Sequence, residues 1–508
     1  MALSTRAGFA ENPFVVLPVP EPSRLECGLA GDSPLIPAIP LQDGEQYRFH
    51  FDMSKCIGCK CCEVACAEQN NNPPQVSWRR VGEVEGGVFP NTKRLYLSMG
   101  CNHCLDPACM TGCPTQAYRK DGETGLVLHN AEVCIGCEYC IWNCPYNVPV
   151  FNEERGVVGK CDMCHGRLRD GDKPACVNAC PSEAISIEIV NIEEWRRKYS
   201  EEANAPGLPT AEDTISTTRV TLPANMPLDA EKADHHRVRP EKPHRSLIAM
   251  TVTTQLSVGA VAAAWILSVL GEAEVLVAAT AALLLGLLSL AVSPLHLGRP
   301  AMAFLAVRNW RTSWLSREIL ALTSFGAAAS AYAAALWFGT PGSAWLGAVA
   351  ALFGASGVYA SARIYLVPGR PAWNSPHTIA EFFLTGAILG PLLLAAAGVE
   401  ASVLAVLAAS AALAQLTNQA WRFVGLVRSD EFEKQASSRL LSGVLARLFL
   451  LRLALLVVGG VALPLAGHAA MGFCVACGGE TIGRYLFFVS VVPKNMAMSF
   501  FGEHREAA

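Results

Sequence analysis

The sequence predicts a two-part protein, an α+β domain followed by an all-α bundle of eight transmembrane helices. Three observations carry that prediction. Sixteen of the 20 cysteines fall into four quartets between Cys56 and Cys180. From about Ser246 the composition turns apolar, in successive stretches of roughly 20 residues, the length that crosses a bilayer. Between the two lies a polar, Pro-rich stretch, 196–245, that reads as a linker.

The quartets are Cys56, Cys59, Cys62 and Cys66; Cys101, Cys104, Cys109 and Cys113; Cys134, Cys137, Cys140 and Cys144; and Cys161, Cys164, Cys176 and Cys180. The first and third follow the ferredoxin run, in which three closely spaced thiolates hold one iron–sulfur cluster and the fourth reaches another. Structural zinc pairs its cysteines two by two, or with His, without the third Cys and the trailing Cys-Pro. A disulfide scaffold suits a short secreted chain rather than 508 residues. Iron–sulfur clusters are therefore expected, in tandem ferredoxin-like units with βαβ-type elements around them. Pro114, Pro145 and Pro181 directly follow the last Cys of their quartets and stop short helices there. Cys61 reads as structural, and Cys27 has no assigned role.

A net charge of −4 and a pI near 6.3 give no reason to expect a nucleic-acid partner. The 51% hydrophobic content and mean hydropathy of +0.29 are high for a soluble protein. No secretory signal is read at the start: Phe14–Pro20 is short and broken by Pro. The expected organisation is an irregular extension over 1–48, the cluster domain over 49–195, the linker over 196–245 and a membrane domain over 246–508. Spans are expected at about 246–270, 274–294, 318–338, 344–366, 378–398, 401–421, 446–467 and 481–500.

With their x4 and x11 spacers, the quartets resemble the four-cluster subunit of the dimethyl sulfoxide reductase family of molybdenum enzymes. Ser293-Pro294-Leu295-His296-Leu297-Gly298-Arg299-Pro300, with Asn309, Ser313 and Ser316-Arg317-Glu318, resembles that family's membrane anchor. So do Pro371-Ala372-Trp373-Asn374 and Gly479-Glu480-Thr481-Ile482-Gly483-Arg484. The two parts, commonly separate polypeptides in relatives, are fused here. The resemblance implies crossed ligation by four [4Fe–4S] clusters. Cys56, Cys59 and Cys62 would act with Cys180, and Cys66 with Cys161, Cys164 and Cys176. Cys101, Cys104 and Cys109 would act with Cys144, and Cys113 with Cys134, Cys137 and Cys140. The first set would lie nearest the catalytic subunit and the last nearest the membrane. Relatives with a three-iron cluster carry Trp where Cys137 stands.

Haem b needs His inside helices. The membrane half offers His244, His296, His377, His468 and His504, all near span ends, so no haem is expected and electrons should pass directly to quinone. A quinone site wants a titratable donor beside an apolar slot. His296 fits that need, its alternative being an interfacial histidine bonded to backbone. Glu318, Glu381, Glu480 and Arg484 are further ionisable candidates. Glu381 and Arg484 read equally as quinone contacts or structural ion partners. Trp310 and Trp373 read as belt aromatics or quinone contacts, and Cys474 and Cys477 as a redox pair or as small apolar residues near a helix start.

Loop charges set the orientation. Lys242, Arg245, Arg299, Arg308, Arg311, Arg317, Arg363, Arg370, Arg422, Arg428, Lys434 and Arg439 gather on the side of the cluster domain. Glu272, Glu274 and Glu400 lie opposite, with only Arg484 at a helix edge. The positive-inside rule then puts the cluster domain in the cytoplasm, on a multi-pass protein of the bacterial inner membrane. No molybdopterin domain or nucleophile is present, so a non-catalytic electron-transfer and anchor subunit is expected. It would link a molybdopterin catalytic subunit to membrane quinone, with sulfite oxidation favoured by the inward orientation. The alternatives are a quinol-oxidising subunit of a dimethyl sulfoxide, N-oxide or polysulfide reductase and, from another class, a redox-driven ion-transport subunit.

Overall fold

The computed structural model describes residues 35–202, 209, 213–233, 238–271, 275–400 and 402–494. Cys27, Glu272, Glu274 and His504 lie outside these residues, as does most of the expected N-terminal extension.

The cluster domain is built from short strands and short helices around the cysteine loops. In sequence order these are β1 (Glu45–Asp52), α1 (Cys61–Gln69), β2 (Arg80–Gly86), β3 (Lys93–Met99), α2 (Ala108–Gly112), β4 (Tyr118–Lys120), β5 (Val127–His129), α3 (Tyr139–Asn143), β6 (Val150–Asn152), β7 (Val157–Gly159), α4 (His165–Arg169), α5 (Ala175–Asn178), β8 (Ile185–Asn191) and α6 (Ile192–Glu202). β1 and β8 pair antiparallel with Phe49 opposite Ile187 and Phe51 opposite Ile185, so alternate residues share one buried face. β4 with β5 and β6 with β7 form antiparallel hairpins rather than βαβ units, each pair joined by a connection too short for a crossover.

The stretch expected as a linker is partly folded onto this domain. β9 (Arg219–Thr221) adds to β1 in parallel, giving the order β8-β1-β9, and β10 (Glu231–Lys232) adds to β2. Thr214, Ser216, Thr217 and Thr218 are buried. The Ser216 and Thr217 hydroxyls both donate to Asn102, at 3.0 and 2.7 Å, which helps a polar sequence to pack here. The extension also ends earlier than expected, since β1 starts at Glu45.

The membrane domain comprises α7 (Arg245–Leu270), α8 (Leu276–Val292), α9 (Trp314–Trp337), α10 (Ser343–Ile364), α11 (Pro376–Ala396), α12 (Ser402–Arg428), α13 (Phe432–Ser442), α14 (Ala446–Leu455), α15 (Leu463–Leu465) and α16 (Ala469–Val489). A π-helical segment, Leu456–Ala462, joins α14 to α15 and completes the seventh pass. Among the described residues seven helices are long and apolar enough to cross a membrane. The eighth expected span is shifted: α16 begins twelve residues before 481 and ends at Val489. It runs antiparallel to the seventh pass, with Gly483 against Arg452, Gly479 against Leu455 and Gly472 against Pro464. Buried Glu480 and Arg484 lower its hydropathy, which draws the expected span downstream. Arg484 consequently sits inside the bundle and not at an edge facing the opposite side.

Candidate iron–sulfur and quinone-facing sites

The cysteine loops repeat one backbone device. In Cys56-Ile57-Gly58-Cys59-Lys60 and Cys134-Ile135-Gly136-Cys137-Glu138 the Gly and the residue after the second Cys both have positive φ: 71° and 61° in the first, 68° and 58° in the second. The three Cys-Pro turns repeat another, with positive φ at Gln116, Asn147 and Glu183, each three residues after its Cys. Non-glycine residues adopt this region at a cost and cluster at functional sites. Here the turns aim amides at sulfur: Ala117 N–H donates to Cys113 Sγ, Ala184 N–H to Cys180 Sγ and Met163 N–H to Cys161 Sγ, each at 3.3 Å.

Folding brings the thiols together in the crossed sets. Burial pushes up the Cys56 thiol, and Cys180 and Cys59 add to the shift. Burial likewise carries Cys66 to about 12, with Cys176 and Cys164 as thiol neighbours. Cys104 is raised to about 12 by burial, then by Cys101 and Cys144. Burial dominates at Cys137 and Cys140 too, and Cys113 and Cys134 act on both. Cys101, Cys104, Cys109 and Cys144 line one cavity with Lys160 and Tyr146. Burial disfavours free thiolates here, and coordination to a metal offsets that cost. Clusters bound to such sets supply one-electron carriers.

The fourth set, Cys113 with Cys134, Cys137 and Cys140, abuts the membrane domain. Arg299 N–H donates to the Ile135 carbonyl at 3.1 Å and Gly298 N–H to the Gly136 carbonyl at 3.4 Å. Asn309 Nδ2 donates to the Cys113 carbonyl at 2.8 Å, and Ser313 Oγ to the Gly112 carbonyl at 2.7 Å. The anchor-like motif between Ser293 and Ser313 is thus largely a docking surface. Trp142, two residues before Cys144, packs on Tyr365, Trp373 and His244 at centroid distances of 5.7, 5.6 and 5.5 Å. Trp373 is 2% exposed and donates to the Phe487 carbonyl, which excludes a belt position; Trp310 is half exposed.

His296 ends the single turn Ser293–His296 and is half-buried, with Nδ1 enclosed and the ring held against the Ser293 backbone. It lies in electrostatic reach of His244. Glu318, in the second turn of α9, is buried, hydrogen-bonds Ser361 and lies in electrostatic reach of Tyr139 and Tyr365. Both side chains thereby lead to α3, His296 through His244 and Trp142 and Glu318 through Tyr139. The sequence marks Glu318 only as ionisable. Its burial comes from a neighbouring helix, with no ion-pair partner among the described residues, and has no local signal.

Glu381 and Arg484 belong to a different cluster. Glu381 is 1% exposed and its two oxygens bind Arg422 and Arg452, each at 2.8 Å. Arg484 donates to Gln255 at 2.8 Å and stacks over Phe382 at 3.8 Å, while Thr385 donates to Glu480 at 2.6 Å. Among the described residues no hydrogen bond or ion pair joins His296 to Glu381 or Arg484. Cys474 faces outward and Cys477 is half-buried, both in the first half of α16.

Known proteins carry the same two parts. Residues 92–189 match the 4Fe-4S dicluster domain and residues 241–489 the DMSO reductase anchor subunit (DmsC). Over 179 residues the sequence is 41% identical to the B subunit of anaerobic dimethyl sulfoxide reductase from Haemophilus influenzae, covering 34% of this protein and 86% of that one. It is 43% identical over 177 residues to the corresponding B subunit of Escherichia coli K12, covering 33% and 85%. With protein NrfC of E. coli K12 it shares 39% identity over 147 residues, 28% of this protein and 66% of that one. An iron–sulfur domain continuous with a multi-pass anchor, each with its own counterpart, places this chain in the dimethyl sulfoxide reductase family, as a member in which the iron–sulfur and anchor subunits are fused.

Proposed function

We propose that this electron-transfer and anchor subunit holds four [4Fe–4S] clusters on its sixteen quartet cysteines and exchanges electrons between a separate molybdopterin catalytic subunit and membrane quinone. The observation that carries the reading is the fourth thiol set, seated against the membrane helices beside His296 and Glu318. In this reading the His296 imidazole binds a quinone oxygen, and Glu318, with Ser361 as its fixed partner, holds or yields the proton that accompanies reduction. Glu381 and Arg484 are assigned to the structural ion cluster and not to the quinone. Iron analysis should give about 16 Fe per polypeptide; a value near 8 would reject the four-cluster assignment. His296→Ala and Glu318→Gln should each lower quinone-linked turnover at least tenfold with iron content unchanged. Normal quinone kinetics in both would move the site elsewhere.

The cluster domain is assigned to the cytoplasmic face of the bacterial inner membrane. Arg299, Arg370 and Arg422 are taken up by protein contacts or burial, yet Arg308, Arg311, Arg317, Arg428, Lys434 and Arg439 still leave that side basic. An inward-facing complex suits oxidation of an internal substrate such as sulfite. The relatives named for dimethyl sulfoxide reductase favour the opposite flow, from quinol to an S-oxide. Sulfite-dependent quinone reduction and quinol-dependent dimethyl sulfoxide reduction, measured on one purified complex, separate the two.

A further inference from the structure

Two cations are buried between the thiol sets. Arg79 is 2% exposed, with its guanidinium 4.4 Å over the Phe49 ring. Its Nη1 donates to Ser98 Oγ at 3.2 Å, and that hydroxyl lies 3.3 Å from Cys62 Sγ. Nε and Nη2 are buried without a hydrogen-bond partner. The thiols that act on it are Cys62 of the first set and Cys66, Cys161 and Cys176 of the second. Lys160 is 3% exposed, bonds the Val127 and Cys161 carbonyls, and walls the cavity of the third set. Cys101 and Cys109 of the third set and Cys161 of the second act on it. Among the described residues no carboxylate lies within ion-pair distance of either cation, Asp162 acting on Lys160 from farther away. At the fourth set the cation acting on Cys134 is Arg299, which is only half-buried and is tied to the Ala131 carbonyl.

A buried, unpaired cation is costly unless an anion compensates it. A cluster carrying four thiolates is such an anion, and each electron it accepts adds one more negative charge. In a low-dielectric interior a fixed positive charge favours that more negative form. We propose that Arg79 and Lys160 are fixed counter-charges that raise the reduction potentials of the first three clusters relative to the fourth, with the second, flanked by both, raised by each. This rests on the four-cluster reading above.

The geometry gives a crossed pattern to test by redox titration followed by electron paramagnetic resonance on the intact protein in its complex. Arg79→Gln should lower the potentials of the first and second clusters, and Lys160→Met those of the second and third. Each shift should be at least tenfold in the one-electron equilibrium, about 59 mV. The fourth cluster should stay put in both, and Arg79→Lys, which keeps the charge but not the fork of donors, should restore most of the first shift. Unmoved potentials at full iron content would overturn the proposal, as would equal shifts at all four clusters or failure of Arg79→Lys to rescue. If Arg79→Gln loses iron, Lys160→Met carries the same test alone. Wild-type protein with fewer than four clusters would instead overturn the cluster assignment, a separate outcome visible before any variant is made.

Discussion

Replacing Gly298 by Ala should undock the two domains without preventing either from folding. A Cβ at Gly298 would lie 2.2 Å from the Gly156 carbonyl oxygen and 2.7 Å from its carbon. Ordinary contact begins more than 1 Å farther out, and the opposing atoms are backbone, so no rotamer can yield. The loop must retreat, which breaks the Gly298 and Arg299 bonds to the Gly136 and Ile135 carbonyls. Two lost backbone hydrogen bonds at about 1 kcal/mol each, with about 1 kcal/mol for a stranded buried carbonyl, come to about 3 kcal/mol. That is about a hundredfold in the ratio of docked to undocked forms. The assay is quinol-linked reduction of the clusters in membranes, with iron content and membrane insertion as controls. Gly425→Ala, where a Cβ meets nothing within 4 Å, serves as the neutral comparison. Wild-type reduction by Gly298→Ala would refute the claim that this backbone contact sets the distance between the fourth set and the membrane site.

Three further outcomes follow from the geometry. Glu381→Gln leaves Arg422 and Arg452 buried without their anion and should cost about 3–5 kcal/mol of stability in detergent; an unchanged melting temperature with altered quinone affinity would instead return Glu381 to the quinone site. Glu188 is held near pKa 2: burial raises it, but His50, Arg219 and Arg48 together outweigh that. It should therefore stabilise the β8-β1-β9 sheet by up to about 3 kcal/mol above the ordinary carboxylate range, and lose that contribution as pH falls from about 4.5 toward 2. Glu188→Gln should flatten that acid limb, seen by circular dichroism against pH, and an unaltered limb would discount the network. A reporter active only outside the inner membrane should give signal at Glu400 and none at Arg308, and the reverse pattern would overturn the inward orientation.

The parts of this fold legible in the sequence are those whose signal is local. Cysteine spacing and hydropathy windows each span a few residues to about twenty, and they locate the thiol loops and the seven helices long and apolar enough to cross a membrane. What escapes depends on distant partners. β9 is three polar or β-branched residues long and exists because β1 offers an open edge, with Arg219 meeting Glu188 across the sheet. The start of α16 is hidden because Glu480 and Arg484 look like the rim of a span, whereas Thr385 and Gln255 on other helices satisfy them inside it. The same holds at the candidate sites. The sixteen thiols announce themselves, but the burial of Arg79, Lys160 and Glu318 is a property of packing.

Fusion of the two parts changes what the interface between them must supply. Two separate polypeptides must offset the translational and rotational entropy of association before any contact shows as affinity. A tether of tens of residues makes docking intramolecular, at an effective concentration on the order of millimolar. The stretch after α6 goes further than a tether. Thr214 lines the cavity of the third thiol set, β9 and β10 extend two sheets, and Asp213 pairs with Lys494 beyond α16 at 2.6 Å. It thus straps the cluster domain to the end of the last membrane helix, while Glu241 N–H donates to the Val489 carbonyl at its other end. With both ends of the strap fastened, a contact patch built from a few backbone carbonyls and the side chains of Asn309 and Ser313 is enough to fix the fourth thiol set in place. The interface then needs only these polar contacts and the aromatic packing of Trp142 on Tyr365 and Trp373 to hold a distance.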